Sequence, residues 1–241
     1  MNHFFTRPHN NFENNFKNGF SGLSFCFDLD GTLIDTAPDL VRVLNEITAP
    51  EGVPPVDYQT ARNLVGYGSM ALIKMAFAEA KQELPETLAK SLQAQFLERY
   101  AETIDHLSQP FDGVVKTLVD LRRSGADLSV CTNKPGWLAR PLIEKLGLTP
   151  LFTRIVGSDD VPNYKPHPGH IYAAAGHAEA DRIIMVGDSR PDLEAAKNAR
   201  VLAVMVDYGY CTEPIRGMGG DIVISSFRDL PEAVHAYKNI S

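Results

Sequence analysis

The hydrophobic residues of this chain follow helical spacing in one long segment and mark alternating strands and helices in the rest. From residue 38 to about residue 109, apolar side chains recur every three or four positions over 40–47, 70–77 and 88–100. This spacing places them on one face of a helix, and no convincing strand pattern interrupts them. We therefore expect a helical insert of about 70 residues in this part of the chain.

From Pro110 onward, short runs rich in valine and isoleucine alternate with helical patterns. We expect strands over 128–131, 154–156, 183–186, 201–206 and 222–224, separated by helices over 114–123, 135–146, 168–176 and 191–199. Strands that alternate with helices in this way predict a parallel sheet covered on both faces. The expected fold class is α/β, a doubly wound parallel sheet with a small all-helical domain inserted after the first strand.

This pattern divides the chain into three parts. Residues 1–21 form an N-terminal extension, residues 22–37 and 109–241 form the α/β core, and residues 38–108 form the helical insert. Within the extension, Phe12, Phe16 and Phe20 are spaced by four, so that a short docking helix is one interpretation. A poorly ordered extension is the favoured alternative.

Composition excludes several classes of protein. The 241 residues are 44% hydrophobic and 22% charged, as is usual for a globular protein, and the net charge of −7 disfavours nonspecific binding to nucleic acids or membranes. No stretch approaches the roughly 18 apolar residues that a membrane span needs. We interpret Cys26, Cys131 and Cys211 as reduced thiols of a cytoplasmic protein. Monomer and homodimer both remain open.

The stretch 25–33 combines an apolar run with two acids, Asp28 and Asp30, followed at once by glycine and threonine. Burial of the run is favourable and burial of the carboxylates is not, so the run predicts an interior strand with the acids at its carboxyl end. Ligands bind at that edge of open α/β sheets. The two acids can lie on one side of the strand, where a hard cation such as Mg²⁺ would offset their repulsion.

Other polar residues follow the later strands and should converge on the same edge. They are Thr132 with Asn133, Lys165, Asp188 and Asp192. Taken singly, Thr132 is more typical of a strand end or helix N-cap, and Lys165 of a solvated surface. Asp188 could cap the helix that begins near Pro191, and Asp192 could be a first-turn acid. Their joint occurrence in this order favours a site.

Each of these residue types suits phosphoryl transfer. Asp28 is the candidate nucleophile, and Asp30 is the candidate acid for the leaving oxygen and the base for water. Thr132, the Asn133 amide and Lys165 would bind phosphoryl oxygens. Mg²⁺ would be held by the carboxylates of Asp28 and Asp188 and by the backbone carbonyl of Asp30. Asp192 would orient Lys165 or a metal-bound water.

Two further patterns have plainer explanations. His167, His170 and His177 lie at helical spacing, but the oxygen ligands already assembled disfavour a histidine metal site. Gly66-Tyr67-Gly68 is too short for a nucleotide-binding fingerprint, and a turn between helices is expected there.

With these residues assembled, the chain resembles the haloacid dehalogenase superfamily of phosphohydrolases over about residues 23–230. The matching motifs are Asp28-Leu29-Asp30-Gly31-Thr32-Leu33, Thr132-Asn133-Lys134, Lys165-Pro166 and Gly187-Asp188-Ser189-Arg190-Pro191-Asp192. The resemblance implies a Rossmann-like core, a mobile cap formed by the helical insert, and hydrolysis through an aspartyl-phosphate. Arg200 departs from the family pattern, which usually has glycine there, and we expect a different turn at that position.

Within the superfamily the chain is most similar to phosphoglycolate phosphatases, on the stretches 35–40, 64–66, 132–135 and 208–210. That similarity implies Mg²⁺-dependent hydrolysis of 2-phosphoglycolate to glycolate and phosphate, within carbohydrate metabolism. A substrate carboxylate would need a cation or backbone amides from the cap, and Arg42, Arg62 and Lys74 are the candidate cations. The expected partner is a small phosphorylated metabolite.

Four alternatives stay open at this point. A phosphatase of another small phosphate ester would share most of these motifs. A phosphosugar mutase would use the same core and return the phosphoryl group to the sugar. A phosphoaspartate receiver has a similar set of acids, threonine and lysine, but it is roughly half this length and lacks the helical insert. A catalytically silent binding protein is disfavoured because Asp30 is retained.

Overall fold

The computed structural model of the protein describes residues 19–62, 64–176 and 178–240. The strands of these residues are β1 (Ser24–Phe27), β2 (Ile34–Asp35), β3 (Gln109–Pro110), β4 (Asp127–Cys131), β5 (Arg154–Val156), β6 (Ile183–Gly187), β7 (Leu202–Val206) and β8 (Ile222–Ile224). The α-helices are α1 (Ala37–Thr48), α2 (Tyr58–Arg62), α3 (Ser69–Glu79), α4 (Glu86–Glu102), α5 (Val114–Arg123), α6 (Gly136–Lys145), α7 (Pro168–Ala175), α8 (Arg190–Ala199) and α9 (Leu230–Ile240). None of these helices is both long and apolar enough to cross a bilayer.

Six strands form one parallel sheet in the order β5-β4-β1-β6-β7-β8. At its centre, Phe25 of β1 is in register with Leu128 of β4 and Ile184 of β6. Every residue of β1 and β6 is buried, which explains why these strands are continuous apolar runs rather than alternating ones. The predicted fold class, a doubly wound parallel α/β sheet, is confirmed.

Side chains on the two faces of the sheet enter separate hydrophobic cores. Phe25 and Phe27 point into the core shared with α5, α6 and α9. Cys26 and Met185 point into the core shared with α7 and α8. Because both faces are covered, only the ends of the strands are left to present polar groups.

The helices α1 to α4 lie between β2 and β3, which pair antiparallel as a separate two-stranded sheet. Ile34 is opposite Pro110, and Asp35 is opposite Gln109. The pairing joins the two ends of the helical segment at one place, close to the end of β1. The sequence pattern did not reveal this pair because two-residue strands are too short to show alternation.

Arg200 has φ +55° and ψ +41°, the left-handed conformation that glycine would adopt there, so the expectation of a different turn is wrong. The spacing of Phe12 and Phe16, for which a docking helix is one interpretation and a poorly ordered extension the favoured one, lies outside the described residues. Phe20 is buried and packs edge-to-face on Phe25 with ring centroids 5.8 Å apart, so that the chain is tied to the core from this residue.

Candidate active site

The carboxyl ends of the central strands open into a cavity of about 480 Å³. Asp28 follows β1, Asn133 follows β4, and Asp188 follows β6, all at the same edge of the sheet. The helical segment lines the other side with Leu40, Val65, Gly66, Tyr67, Gly68, Ser69, Met70, Leu72, Gln93, Phe96, Leu97 and Tyr100. The cavity therefore lies between the acidic edge of the core and a largely apolar surface of the helices.

Lys165 is a buried cation beside the acids of the site. Its Nζ atom lies 2.8 Å from Asp28 Oδ1 and 2.6 Å from Asp192 Oδ1. Burial alone would lower the pKa of the ammonium group, but the carboxylates of Asp192 and Asp28 outweigh it and raise the pKa above its ordinary value. Lys165 thus provides a permanent positive charge directly beside Asp28, although 136 residues lie between the two in the sequence.

Asp28 is buried with one oxygen incompletely satisfied. Its Oδ1 atom forms the ion pair with Lys165 but has no hydrogen-bond partner of suitable geometry. Burial raises the pKa of the Asp28 carboxyl to about 6, with Lys165 opposing the shift and Asp192 adding to it. A carboxylate held in this state is available to a cation or to an electrophile.

Asp188 is held by two donors that the sequence interpretation did not assign. Thr32 Oγ1 donates to Asp188 Oδ1 at 3.0 Å, and the Tyr210 backbone N–H donates to Oδ2 at 2.7 Å. Burial, followed by the carboxylates of Asp192 and Asp28, raises the pKa of Asp188 well above its ordinary value. Gly31 has φ +85°, and a Cβ atom there would lie 2.5 Å from Asp188 Oδ2, so only glycine fits.

Asp192 has both oxygens engaged. Oδ1 accepts from Lys165 Nζ, while Oδ2 accepts from the backbone N–H and the hydroxyl of Ser189 at 3.0 and 2.5 Å. Ser189 is the N-cap of α8, so the alternative that Asp188 caps this helix is wrong. Asp192 therefore fixes both the helix start and the position of Lys165.

Thr132 and Asn133 directly follow β4, and of the two only Asn133 is among the residues that line the cavity. The buried Thr132 Oγ1 accepts from the Lys134 backbone N–H at 3.1 Å. Asn133 Nδ2 donates to the Lys165 carbonyl at 3.0 Å, and its Oδ1 atom is buried without a partner. Asn133 lines the cavity and links the second motif to the third.

Asp30 lies on the cavity wall, and its two shorter hydrogen bonds are both made to Oδ1. Oδ1 accepts from Thr36 Oγ1 at 2.7 Å and from Lys134 Nζ at 3.1 Å, while Oδ2 lies 3.3 Å from the same Nζ. Lys134 Nζ also donates to the Tyr100 hydroxyl at 2.9 Å. Asp30 therefore contacts a cation other than the one that contacts Asp28.

His167 and His170 form hydrogen bonds with the backbone. His170 accepts from the Lys165 backbone N–H through Nδ1 at 3.2 Å, and its Nε2 atom lies 3.1 Å from the Val156 carbonyl. Burial, and after it the charge of Lys165, lowers the pKa of His170 to about 4. His167 Nδ1 caps α7 by accepting from the Gly169 N–H at 3.1 Å, and His177 lies outside the described residues.

The three cations suggested for a substrate carboxylate do not line the cavity, and that expectation is wrong. Arg42 pairs with Asp39 at 2.9 Å and with the Thr103 hydroxyl. Arg62 donates to two carbonyls of the loop after β7, and Lys74 is exposed. The fixed geometry of the helices, which the periodic pattern does not specify, turns these side chains elsewhere.

Three buried carboxylates could hold a metal ion among the described residues. One oxygen each of Asp28, Asp188 and Asp192 lies within 4.8 Å of the other two. When all three are ionised beside Lys165, they leave an excess of negative charge that burial makes costly. Oxygen ligands and excess negative charge are the conditions that suit a hard divalent cation.

Comparisons with known proteins define the class. The model of the haloacid dehalogenase-like hydrolases matches residues 25–206. The phosphoglycolate phosphatase of Caulobacter vibrioides is 43% identical over 215 residues, 88% of this chain and 91% of its own length. The N-acetylmuramic acid 6-phosphate phosphatase of Pseudomonas aeruginosa is 34% identical and covers 85% of this chain and 91% of its own.

A solved structure agrees with these relatives. The crystal structure of a predicted phosphoglycolate phosphatase from Haemophilus somnus superposes with a TM-score of 0.82 at 31% identity, and the match covers 89% of this chain and 98% of the other. The chain belongs to the haloacid dehalogenase-like hydrolase family. It is an enzyme of the phosphoric monoester hydrolase class, similar to phosphoglycolate phosphatases, as the sequence motifs predicted.

Proposed function

We propose that this enzyme is a Mg²⁺-dependent phosphatase that acts through an aspartyl-phosphate on Asp28, with 2-phosphoglycolate as its substrate. The observation that carries the proposal is the contact between Asp28 Oδ1 and Lys165 Nζ at 2.8 Å, beside the buried carboxylate of Asp188. A nucleophilic carboxylate, a fixed cation and a group of metal-ligating oxygens are the parts that phosphoryl transfer requires.

The residues present suit Mg²⁺. Asp28, Asp188 and the backbone carbonyl of Asp30 would hold the ion, and Asp192 would keep Lys165 in place beside it. The raised pKa values of Asp28 and Asp188 support this assignment, because a divalent cation would offset the cost of burying ionised carboxylates. When bound there, Mg²⁺ supplies positive charge to the phosphoryl oxygens.

In the proposed first step, an oxygen of the Asp28 carboxylate attacks phosphorus and the bond from phosphorus to the substrate oxygen breaks. Asp30, in its protonated form, transfers its proton to the departing alkoxide. Lys165, Thr132 and the Asn133 amide bind the phosphoryl oxygens and offset the charge that develops on them.

In the second step, water attacks the phosphorus of the aspartyl-phosphate. Asp30, now a carboxylate, takes the proton from that water, and the bond from phosphorus to Asp28 breaks to release inorganic phosphate. We propose that the helical segment 38–108 acts as a cap that excludes bulk water while the phosphoryl group is bound.

The choice of 2-phosphoglycolate is supported by the names of the Caulobacter relative and of the Agrobacterium fabrum relative, which is also 43% identical. No cap cation lines the cavity among the described residues, so the substrate carboxylate would rely on other groups there. Gly68 and Ser69 at the beginning of α3 line the cavity, and the backbone N–H groups of a helix N-terminus suit an anion.

A second candidate is a phosphatase of a larger phosphate ester. The cavity volume of about 480 Å³ and the apolar side chains of its cap side favour this alternative, since cavities of this size hold ligands larger than glycolate. The name of the Pseudomonas relative is that of a phosphatase for a phosphorylated amino sugar.

Two measurements test the proposal. With Mg²⁺, wild type should release phosphate from 2-phosphoglycolate with a higher kcat/KM than from a panel of sugar phosphates, and Asp28→Asn should be inactive. Activity of Asp28→Asn comparable to wild type would refute the nucleophile. A higher kcat/KM for a sugar phosphate would favour the second candidate, and formation of an isomeric sugar phosphate instead of inorganic phosphate would indicate a mutase.

A further inference from the structure

Lys134 is a buried cation that the proposed steps do not use. Its side chain is 5% exposed, and it lines the cavity at the end of β4. Burial alone would lower the pKa of its ammonium group, but Asp30 and Tyr100 raise that pKa above its ordinary value. Burial of a charge is costly unless nearby groups compensate it. The groups that contact Lys134 therefore indicate its role.

The partners of Lys134 come from the two sides of the cavity. Asp30 belongs to the core, and its Oδ1 atom lies 3.1 Å from Nζ. Tyr100 belongs to α4 of the helical segment, and its hydroxyl lies 2.9 Å from Nζ. The Tyr100 ring is buried and packs on Phe96, with ring centroids 6.1 Å apart, so its hydroxyl is fixed in place.

These contacts restrict the orientation of the Asp30 carboxyl. Thr36 Oγ1 and Lys134 Nζ both bind Oδ1, at 2.7 and 3.1 Å, whereas Oδ2 has only the longer contact of 3.3 Å. A proton donor must be held within hydrogen-bond reach of the atom that receives its proton. The two donors on Oδ1 leave Oδ2 as the oxygen that would exchange a proton with the substrate.

We propose that Lys134 is a positioning residue for Asp30, and that Tyr100 completes its site from the helical segment. The proposal rests on the proposed function, in which Asp30 protonates the leaving group. In this proposal, the contact of Tyr100 with Lys134 links the helical segment directly to proton transfer by Asp30. This positioning role requires no contact between Lys134 and the substrate.

The test compares leaving groups. Ethyl phosphate and 2-phosphoglycolate release alkoxides that need a proton, whereas p-nitrophenyl phosphate releases a stable phenolate that needs little help. The quantity measured is kcat/KM, which reports the steps up to the first irreversible phosphoryl transfer. The variants are Lys134→Met, Tyr100→Phe and Asp30→Asn, with Lys145→Met as the matched control, because Lys145 forms an exposed pair with Asp105.

Asp30→Asn should lower kcat/KM for both alkyl esters by about 10²- to 10⁴-fold and should affect the aryl ester much less. Lys134→Met should follow the same pattern with a loss of about 10- to 100-fold on the alkyl esters and under about 3-fold on p-nitrophenyl phosphate. Tyr100→Phe should follow it with a smaller loss, and Lys145→Met should match wild type.

Several results would overturn the proposal. An equal loss on all three substrates would mean that Lys134 acts on the phosphoryl group or only on stability, and no loss would mean that it is idle. A loss confined to 2-phosphoglycolate would make it a carboxylate-binding residue. If Lys134→Met does not fold, Tyr100→Phe and Lys134→Arg decide the question by the same pattern. If Asp30→Asn itself spares the alkyl esters, the proposed function fails instead.

Discussion

Lys165 Nζ lies 2.6 Å from Asp192 Oδ1, and both side chains are almost wholly buried. The same ammonium group lies 2.8 Å from Asp28 Oδ1. Asp192 is in turn fixed by Ser189 at the start of α8. The first turn of α8 therefore sets the position of the Lys165 ammonium group beside Asp28, the proposed nucleophile.

Asp192→Asn should weaken both the fold and catalysis. Removing one partner of a buried ion pair typically costs about 3 to 5 kcal/mol, since the remaining charge loses compensation. Asp105→Asn removes the partner of the exposed Lys145 and should cost under about 1 kcal/mol. Urea unfolding of the two variants measures the difference, and equal losses would contradict the importance of the Lys165–Asp192 pair.

Asp188→Asn should reduce the stabilisation of the protein by Mg²⁺. The raised pKa of Asp188 means that its ionised form destabilises the metal-free protein at neutral pH, so a neutral asparagine should leave the metal-free variant at least as stable as wild type. Wild type should then gain about 2.7 kcal/mol at a Mg²⁺ concentration 100 times its Kd, and the variant much less. Thermal unfolding with and without Mg²⁺ decides. An equal gain in both proteins would place the ion elsewhere.

His170 should make the stability of the protein depend on pH. Its pKa is about 4 in the folded protein and 6.5 ordinarily, so the unfolded chain takes up a proton at a higher pH than the folded one. The contribution of the neutral His170 to the free energy of unfolding is therefore complete above pH 6.5 and is lost as the pH falls towards 4. From about pH 7.5 to about pH 4.5 this loss amounts to roughly 2 to 3 kcal/mol.

The variant His170→Gln lacks this titration, so its unfolding free energy should fall by less over the same range. Denaturant unfolding measures the unfolding free energy of both proteins at the two pH values. The difference between the proteins cancels the contribution of the carboxylates that they share. Parallel pH profiles would contradict the assignment of a neutral, buried His170.

Arg200→Gly should stabilise the protein. Arg200 has φ +55° at the end of α8, a conformation that costs a side-chain-bearing residue about 1 kcal/mol more than glycine. Lys81 has the same φ, and Lys81→Gly should act in the same direction. Ala80 has φ −73°, so Ala80→Gly should destabilise by about 0.5 to 1 kcal/mol. Loss of stability in Arg200→Gly would contradict the prediction.

The sequence predicted best what depends on local pattern. The apolar runs that end at Asp28 and Gly187 are strands because both faces are covered, and their polar ends converge because parallel strands share one edge. The helical stripe that includes Phe96 and Tyr100 was also correct. Such features follow from residue types and spacing alone.

Contacts between distant segments could not be predicted in this way. Tyr100 sits on an apolar stripe and is typical of a core residue, so nothing in the pattern indicates that its hydroxyl meets Lys134. The Tyr210 backbone N–H that binds Asp188 carries no side-chain signal at all. Lys134 stood inside a recognised motif, and its place one residue from Asn133 at a strand end was the signal that could have identified it.

The nucleophile is tested most directly in a variant that can form the covalent intermediate but cannot hydrolyse it. Asp30→Asn should still accept the phosphoryl group from p-nitrophenyl phosphate and should then react slowly with water, because the base is missing. Rapid mixing should show a burst of one equivalent of p-nitrophenolate per enzyme, with the phosphoryl group on Asp28 in the quenched protein. Linear release from the first turnover, with Asp28 unmodified, would contradict the aspartyl-phosphate mechanism.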